Sequence, residues 1–193
     1  MKKVLLLLAN GFEIYEASVF IDVFGWNLVD GDGHTSLTTA GLTNEVKTSF
    51  GQKVVVDSLL SDIDLNEYDA LAIPGGFEEF DFYNDAFSDP FLDTIRYFDS
   101  SNKPIASVCV ASLLLGKSGI LKNRKATTYN KDGGKRQKQL EAYGAIVMNE
   151  PVVVDRNVIS SWNPSTAMPV AFALLEMLTS KEQKEFIMNI MGY

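Results

Sequence analysis

The chain has 193 residues, 46% of them hydrophobic, which is enough to bury a full core in one domain of common size and leaves little room for two equal ones. Seventeen Lys and Arg against 25 Asp and Glu give a formal charge of −8, so the broad positive footprint of a nucleic-acid binder is missing. A single cysteine excludes an intrachain disulfide framework, and a single histidine argues against a transition-metal site built from protein ligands.

The opening apolar run enters Asn10–Gly11–Phe12–Glu13 without a small-residue cleavage pattern, so Val4 to Ala9 reads as a buried strand and not as a secretion signal. No segment approaches the roughly eighteen apolar residues that a bilayer span requires. The expectation is a soluble protein of a reduced, cytoplasmic compartment, without membrane or nucleic-acid partners. Ile14, Ala17, Val19, Phe20, Val23, Phe24 and Leu28 recur at helical spacing up to the Gly31–Asp32–Gly33 stop.

Thr35 to Ala40 and Lys53 to Val56 are β-rich, with Glu45 to Gln52 between them as a small edge hairpin. Ala70 to Ile73 forms a short strand that breaks at Pro74–Gly75–Gly76, and an aromatic loop carrying Phe77, Phe80, Phe82, Tyr83 and Phe87 follows. Pro90 opens a helix whose inner stripe is Phe91, Leu92, Ile95 and Phe98. Pro104 to Val108 is a strand ending at Cys109, and Val110 to Leu115 is helical. Lys125 to Thr128 reads as a further strand and Lys135 to Tyr143 as a helix. Its cluster Lys131, Lys135, Arg136 and Lys138 is taken as a solvated face. Val152 to Val154 and Val158 to Ser160 flank a turn, and helices follow over Ser165 to Leu178 and Glu182 to Met191.

Ligands of open parallel sheets collect beyond the carboxyl ends of the strands, where four loops of this chain would converge: Asn10 to Glu16, Pro74 to Phe77, Val108 to Val110, and Trp162 to Thr166. Cys109 stands at a strand-to-helix turn, where helix N-terminal amides favour a thiolate; buried cysteines are also common as small hydrophobes. Gly75 and Gly76 can present unobstructed backbone N–H groups, though Pro-Gly-Gly alone is a turn. Glu16 is either an ordinary helix-start carboxylate or an acid aimed inward, in which case desolvation raises its pKa. His34 precedes a strand at the opposite end of the sheet, so no Cys–His dyad forms within the chain. Tyr129 could hydrogen-bond into the pocket, while Phe77, Trp162 and Asn163 could wall it or serve as core or dimer contacts. Either Ser165 or Thr166 could cap the long helix that follows.

These segments, in this order, resemble the ThiJ/PfpI superfamily. The resemblance rests on Val4 to Glu16, Ala40–Gly41, Ala72–Ile73–Pro74–Gly75–Gly76, Ile105 to Ala111, and Ser160 to Ala167 leading into Phe172 to Glu176. It implies a flavodoxin-like three-layer α/β sandwich around a mostly parallel sheet, with residues 1–193 as one such domain, commonly a homodimer. It also implies an oxidation-prone nucleophile at Cys109, a partnering acid at Glu16, and oxyanion amides at Gly76 and Val110. Peptidase-like members carry a histidine directly after the cysteine, where this chain has Val110, and the deglycase group has a histidine where this chain has Tyr129.

The function expected is therefore a cysteine-dependent enzyme of glyoxalase or deglycase type on small reactive carbonyl compounds. Cys109 would be the nucleophile and Glu16 the acid/base, without cofactor or metal. The alternatives are a non-catalytic oxidative-stress sensor in which Cys109 becomes a sulfinate, and a homodimeric binding or interaction module.

Overall fold

The structure, a computed structural model, describes residues 1–193 throughout. β1 (Lys2–Leu7) is the centre of the molecule: Val4 to Leu7 are fully buried, as the lack of polar alternation requires of a strand covered on both faces. In chain order it is followed by α1 (Ile14–Val29), β2 (Thr35–Gly41), the antiparallel pair β3 (Glu45–Lys47) and β4 (Lys53–Val55), β5 (Ser58–Leu59) and β6 (Ala70–Ile73). Next come α2 (Phe82–Ala86), α3 (Asp89–Ser100), β7 (Ile105–Ser107), α4 (Ser112–Ser118), β8 (Lys125–Ala126) and α5 (Lys135–Ala142). The chain ends with β9 (Ile146–Val147), β10 (Val152–Asp155), β11 (Val158–Ser161), α6 (Ala167–Leu178) and α7 (Lys181–Ile190).

The main sheet has seven strands in the order β10-β11-β7-β6-β1-β2-β5, and only β10 runs antiparallel. α1, α6 and α7 pack together as one layer, and α3, α4 and α5 as the other, giving the flavodoxin-like three-layer sandwich. From β1 the chain crosses to β2 on one side and later returns to β6 on the other. That reversal opens a crevice beyond the carboxyl ends of β1 and β6, the position where open α/β sheets take ligands.

Several local expectations change. The edge hairpin pairs Glu45–Lys47 with Lys53–Val55, so the segment read as a separate strand is its second arm and Thr48 to Gln52 is its turn. Lys125–Ala126 does not join the main sheet; it pairs in parallel with Ile146–Val147 as a separate two-stranded sheet. That small sheet is tied to β10 by the Lys125 N–H, which donates to Asp155 Oδ2 at 2.7 Å. Buried Arg124 holds it further, donating to Asp99 Oδ1 at 2.8 Å and to Asn157 Oδ1 at 3.0 Å. On α1, Ile14 and Leu28 face solvent, while Glu16 and Asn27 are buried. Asn27 is buried at no net polar cost, because it donates to Asp32 and Thr35 and accepts from Gln183 on α7. The aromatic loop contains α2, whose Phe82 is fully buried.

Candidate active site

Cys109 lies just past β7, in a 3-10 turn that precedes α4. Its φ of +57° places a non-glycine residue in the left-handed region, at a cost of about 1–2 kcal/mol. Cys109 lines a cleft at this end of the sheet, and the Val110 N–H, one peptide on, interacts with its sulfur. Thr128 Oγ1 donates to the Cys109 carbonyl at 3.0 Å, and both residues are buried.

Glu16, on the first turn of α1, is fully buried. Its Oε2 accepts the Gly75 N–H at 2.6 Å, whereas Oε1 has no hydrogen-bond partner in the fold. Gly75 must be glycine for steric reasons: a Cβ there would sit 2.9 Å from Glu16 Oε2, 3.0 Å from the Val108 carbonyl and 3.1 Å from Cys109 Cβ. One point of the backbone is thus packed against the acid, the strand end and the cysteine together. Gly76 is equally constrained, since a Cβ would collide with the Gly11 carbonyl and the Phe82 ring. The antiparallel bridge between Phe12 and Gly76 is closed by Glu13 N–H to Gly75 O at 2.8 Å and Phe77 N–H to Gly11 O at 3.2 Å. The Gly76 N–H takes no part in it.

The charges in this floor are strongly interdependent. Burial pushes the Glu16 carboxyl well above its usual range, and the neighbouring Glu13 carboxylate pushes it further, against the pull of the Gly75 N–H and the Cys109 thiol. Glu13 is itself raised by partial burial. The helix-start setting alone would favour a thiolate, but here burial, and then the Glu16 charge, push the Cys109 thiol up, while the Val110 N–H pulls it down. A thiolate and a Glu16 carboxylate therefore oppose each other, each charge disfavouring the other.

Above this floor is a cleft of about 360 Å³. Gly76, Phe77, Cys109, Val110 and Tyr129 all line it. Gly75 lies behind Gly76, engaged with Glu16. Trp162 and Asn163 are absent from the wall, which takes Pro164 from that loop instead. Asn163 is occupied as the cap of the 3-10 turn Pro164–Thr166: its side-chain oxygen accepts the Ser165 hydroxyl at 2.7 Å, and it forms a capping box with Thr166. Asn163 thus caps the 3-10 turn, while Thr166 stands at the N-cap position of α6 itself, without a side-chain cap hydrogen bond, and Ser165 does not take that place.

Glu13, Glu78, Asp132 and Arg136 also line the cleft and were not legible as site residues. The basic segment around α5 is not simply solvated. Arg136 is largely covered, with its Nη2 2.6 Å from Glu78 Oε2, its Nε 3.8 Å from Asp132 Oδ2 and its guanidinium 5.3 Å from the Tyr83 ring centroid. A salt bridge between residues 58 apart in sequence leaves no local spacing signal. No three His, Cys, Asp or Glu side chains are placed to share a metal ion, and no helix is long and apolar enough to cross a membrane. His34 precedes β2 at the amino end of the sheet.

A sequence model described as the DJ-1/PfpI family matches residues 2–177. Among curated proteins, the chain is 29% identical over 182 residues to Protein DJ-1 homolog B of Arabidopsis thaliana, covering 94% of this chain and 39% of that protein. It thus spans about two-fifths of that relative's length. It is 28% identical over 162 residues to Deglycase PfpI of Pyrococcus furiosus, covering 84% of this chain and 90% of that one. Among solved structures, the crystal structure of Drosophila melanogaster DJ-1beta superposes with a TM-score of 0.85 at 27% identity, covering 98% of this chain and 97% of the other.

Proposed function

This chain belongs to the DJ-1/PfpI family, and from that premise we propose that it is a cysteine-dependent enzyme converting small reactive carbonyl compounds, α-oxoaldehydes above all, into hydroxyacids. The observation that carries the reading is the pairing of a left-handed Cys109 on the cleft floor with a fully buried Glu16 whose second carboxyl oxygen is unpartnered. The name of the Pyrococcus relative points to the same carbonyl chemistry.

In this mechanism Cys109 sulfur adds to the aldehyde carbon, and the carbonyl electron pair moves to oxygen. The Gly76 and Val110 N–H groups hold that oxyanion. Glu16 donates its proton to the oxyanion; the resulting carboxylate then takes the proton from the former aldehyde carbon and delivers it to the neighbouring carbon, while the hydroxyl proton on the first carbon passes to the oxygen of the second, leaving a thioester beside a hydroxyl. The thioester so formed is cleaved by water, which releases the hydroxyacid and restores the thiol. Burial of Glu16 suits both tasks, because it keeps the acid protonated until a substrate oxyanion needs the proton and makes the carboxylate a stronger base afterwards.

Methylglyoxal turnover by wild type, Cys109→Ser and Glu16→Gln tests the proposal. Loss of about a thousandfold or more in the serine variant, with a large loss in the glutamine variant, is expected. Equal rates in all three reject it. A second reading is favoured by the unpartnered Glu16 Oε1, which when protonated could donate to an oxidised sulfur. Cys109 would then serve as a sensor that two equivalents of peroxide convert to the sulfinate; intact mass across a peroxide titration reads that gain of two oxygens. For assembly, the exposed Tyr15, Ile21, Trp26 and Val29 of α1 support a homodimer.

A further inference from the structure

We propose that Thr128 is a positioning residue for Cys109: its hydroxyl fixes the single peptide unit that joins Cys109 to Val110, and so holds the Val110 N–H on the sulfur. The inference rests on the reading of Cys109 as a reactive thiol and not on which substrate that thiol attacks.

The argument begins with one planar group. The Cys109 carbonyl and the Val110 N–H belong to the same peptide, so fixing one end fixes the direction of the other. Thr128 Oγ1 donates to that carbonyl at 3.0 Å, and Thr128 is fully buried. At the opposite end the Val110 N–H meets the sulfur, where it is the one group that draws the thiol's ionisation down. A donor on the carbonyl also polarises the amide and makes its N–H a stronger donor, the usual cooperativity of hydrogen bonds in series.

The anchor is itself held. The Thr127 N–H donates to Ser160 Oγ at 3.0 Å, and Ser160 is a fully buried residue of β11, so the segment carrying Thr128 is pinned to the main sheet. A second buried pair, Ser107 Oγ and Ser112 Oγ at 3.1 Å, spans the elbow from strand to helix. The left-handed φ of Cys109 is unfavourable for a residue with a β-carbon, a cost that these buried contacts help to offset. Thr128 is not adjacent to Cys109 in sequence, and it makes this contact from the segment that also carries Tyr129 into the cleft.

Ionisable groups face the sulfur from several elements: Glu13 and Glu16 from the start of α1, and Tyr83 from α2. Glu78 and Glu79 lie on one side of the cleft, with Tyr129, Asp132, Lys135 and Arg136 on the other. Replacing Thr128 alters none of them, so a change in the thiol's titration reports the peptide.

The test is the rate of Cys109 alkylation by iodoacetamide as a function of pH, in wild type and in Thr128→Val, Thr128→Ala and Thr128→Ser, each first confirmed as folded by circular dichroism and thermal melting. The valine variant keeps the shape and loses the hydroxyl; the alanine variant replaces it in the comparison if valine does not fold. Loss of the hydroxyl is expected to move the profile about half a unit to one unit toward higher pH, which slows alkylation at neutral pH about three- to tenfold, while serine restores the wild-type profile. Three results would overturn the proposal: coincident profiles for the hydroxyl-free variant and wild type, a serine profile as displaced as valine's, or a wild-type thiol that never alkylates in the folded protein. Methylglyoxal turnover measured in parallel separates the two readings, because a displaced alkylation profile in a protein without turnover rejects the carbonyl substrate and leaves the role of Thr128 standing.

Discussion

The floor of the cleft and its outer wall are held by different physics. On the floor, Glu16, Gly75 and Cys109 are packed at van der Waals contact on the ends of three parallel strands, and a single methyl group has no room there. On the wall, the segment after Gly76 meets α5 through Arg136 and Glu78, with Lys135 3.5 Å from the same carboxylate. α5 is entered through Gly133 and Gly134, both at positive φ. The floor is fixed by sterics and buried hydrogen bonds, whereas the wall is latched by partly solvated charge. The first suits chemistry that needs sub-ångström placement, and the second yields more readily to a change in salt or charge.

Substitution at Gly75 should break this contrast most directly. Gly75→Ala forces the Glu16 carboxylate or the Cys109 turn to move, and a loss of about 1–3 kcal/mol in stability is expected, read by chemical denaturation, together with a loss of turnover larger than the stability change alone explains. Unchanged stability and turnover would mean that the floor is pliant.

Glu16→Gln sharpens the comparison through pH. The folded Glu16 holds its proton to a higher pH than the unfolded one. Below the ordinary carboxylate range both states are protonated and nothing is lost. As pH rises, the unfolded chain releases the proton first, so wild-type stability falls until the folded value is passed. Glutamine is neutral throughout and can still accept the Gly75 N–H. The melting temperature of the variant relative to wild type should therefore rise from pH 5 to pH 9; a pH-independent difference would place Glu16 in ordinary solvent.

The wall should yield the smallest effect. Glu78 is half exposed, and Arg136 holds its carboxyl below the usual range. Removing the pair with Arg136→Ala is expected to cost no more than about 1 kcal/mol, and the cost should shrink in high salt as the charges are screened. A loss as large as that of Gly75→Ala, or one indifferent to salt, would place the latch with the floor.

Much of the floor can be read from the chain because its signals are local. The unbroken apolar run of β1, the Pro74–Gly75–Gly76 break and the lone Cys109 between strand and helix each fit within a few residues, and parallel-sheet geometry sends their loops to one end. Glu16 could be named as a candidate, but whether it pointed inward was open, since Ile14 and Leu28 on the same helix carry apolar side chains and face solvent. Thr128 and Arg136 gave no such signal: one acts across 19 residues of chain through a hydroxyl, the other across 58 through a salt bridge.

By itself, then, the sequence determined the alternation of strands and helices, the strands that end at the site and the identity of its thiol, because hydrophobic periodicity and turn chemistry are written in adjacent residues, while the layered arrangement came from the family resemblance. The tertiary structure alone decided that Lys125–Ala126 leaves the main sheet, that Asn163 caps a turn instead of walling the cleft, and that the Glu16 carboxyl is sealed against Gly75 and Cys109. Each of these depends on which distant groups compete for the same hydrogen bond or the same few cubic ångströms, and that competition exists only once the chain has folded.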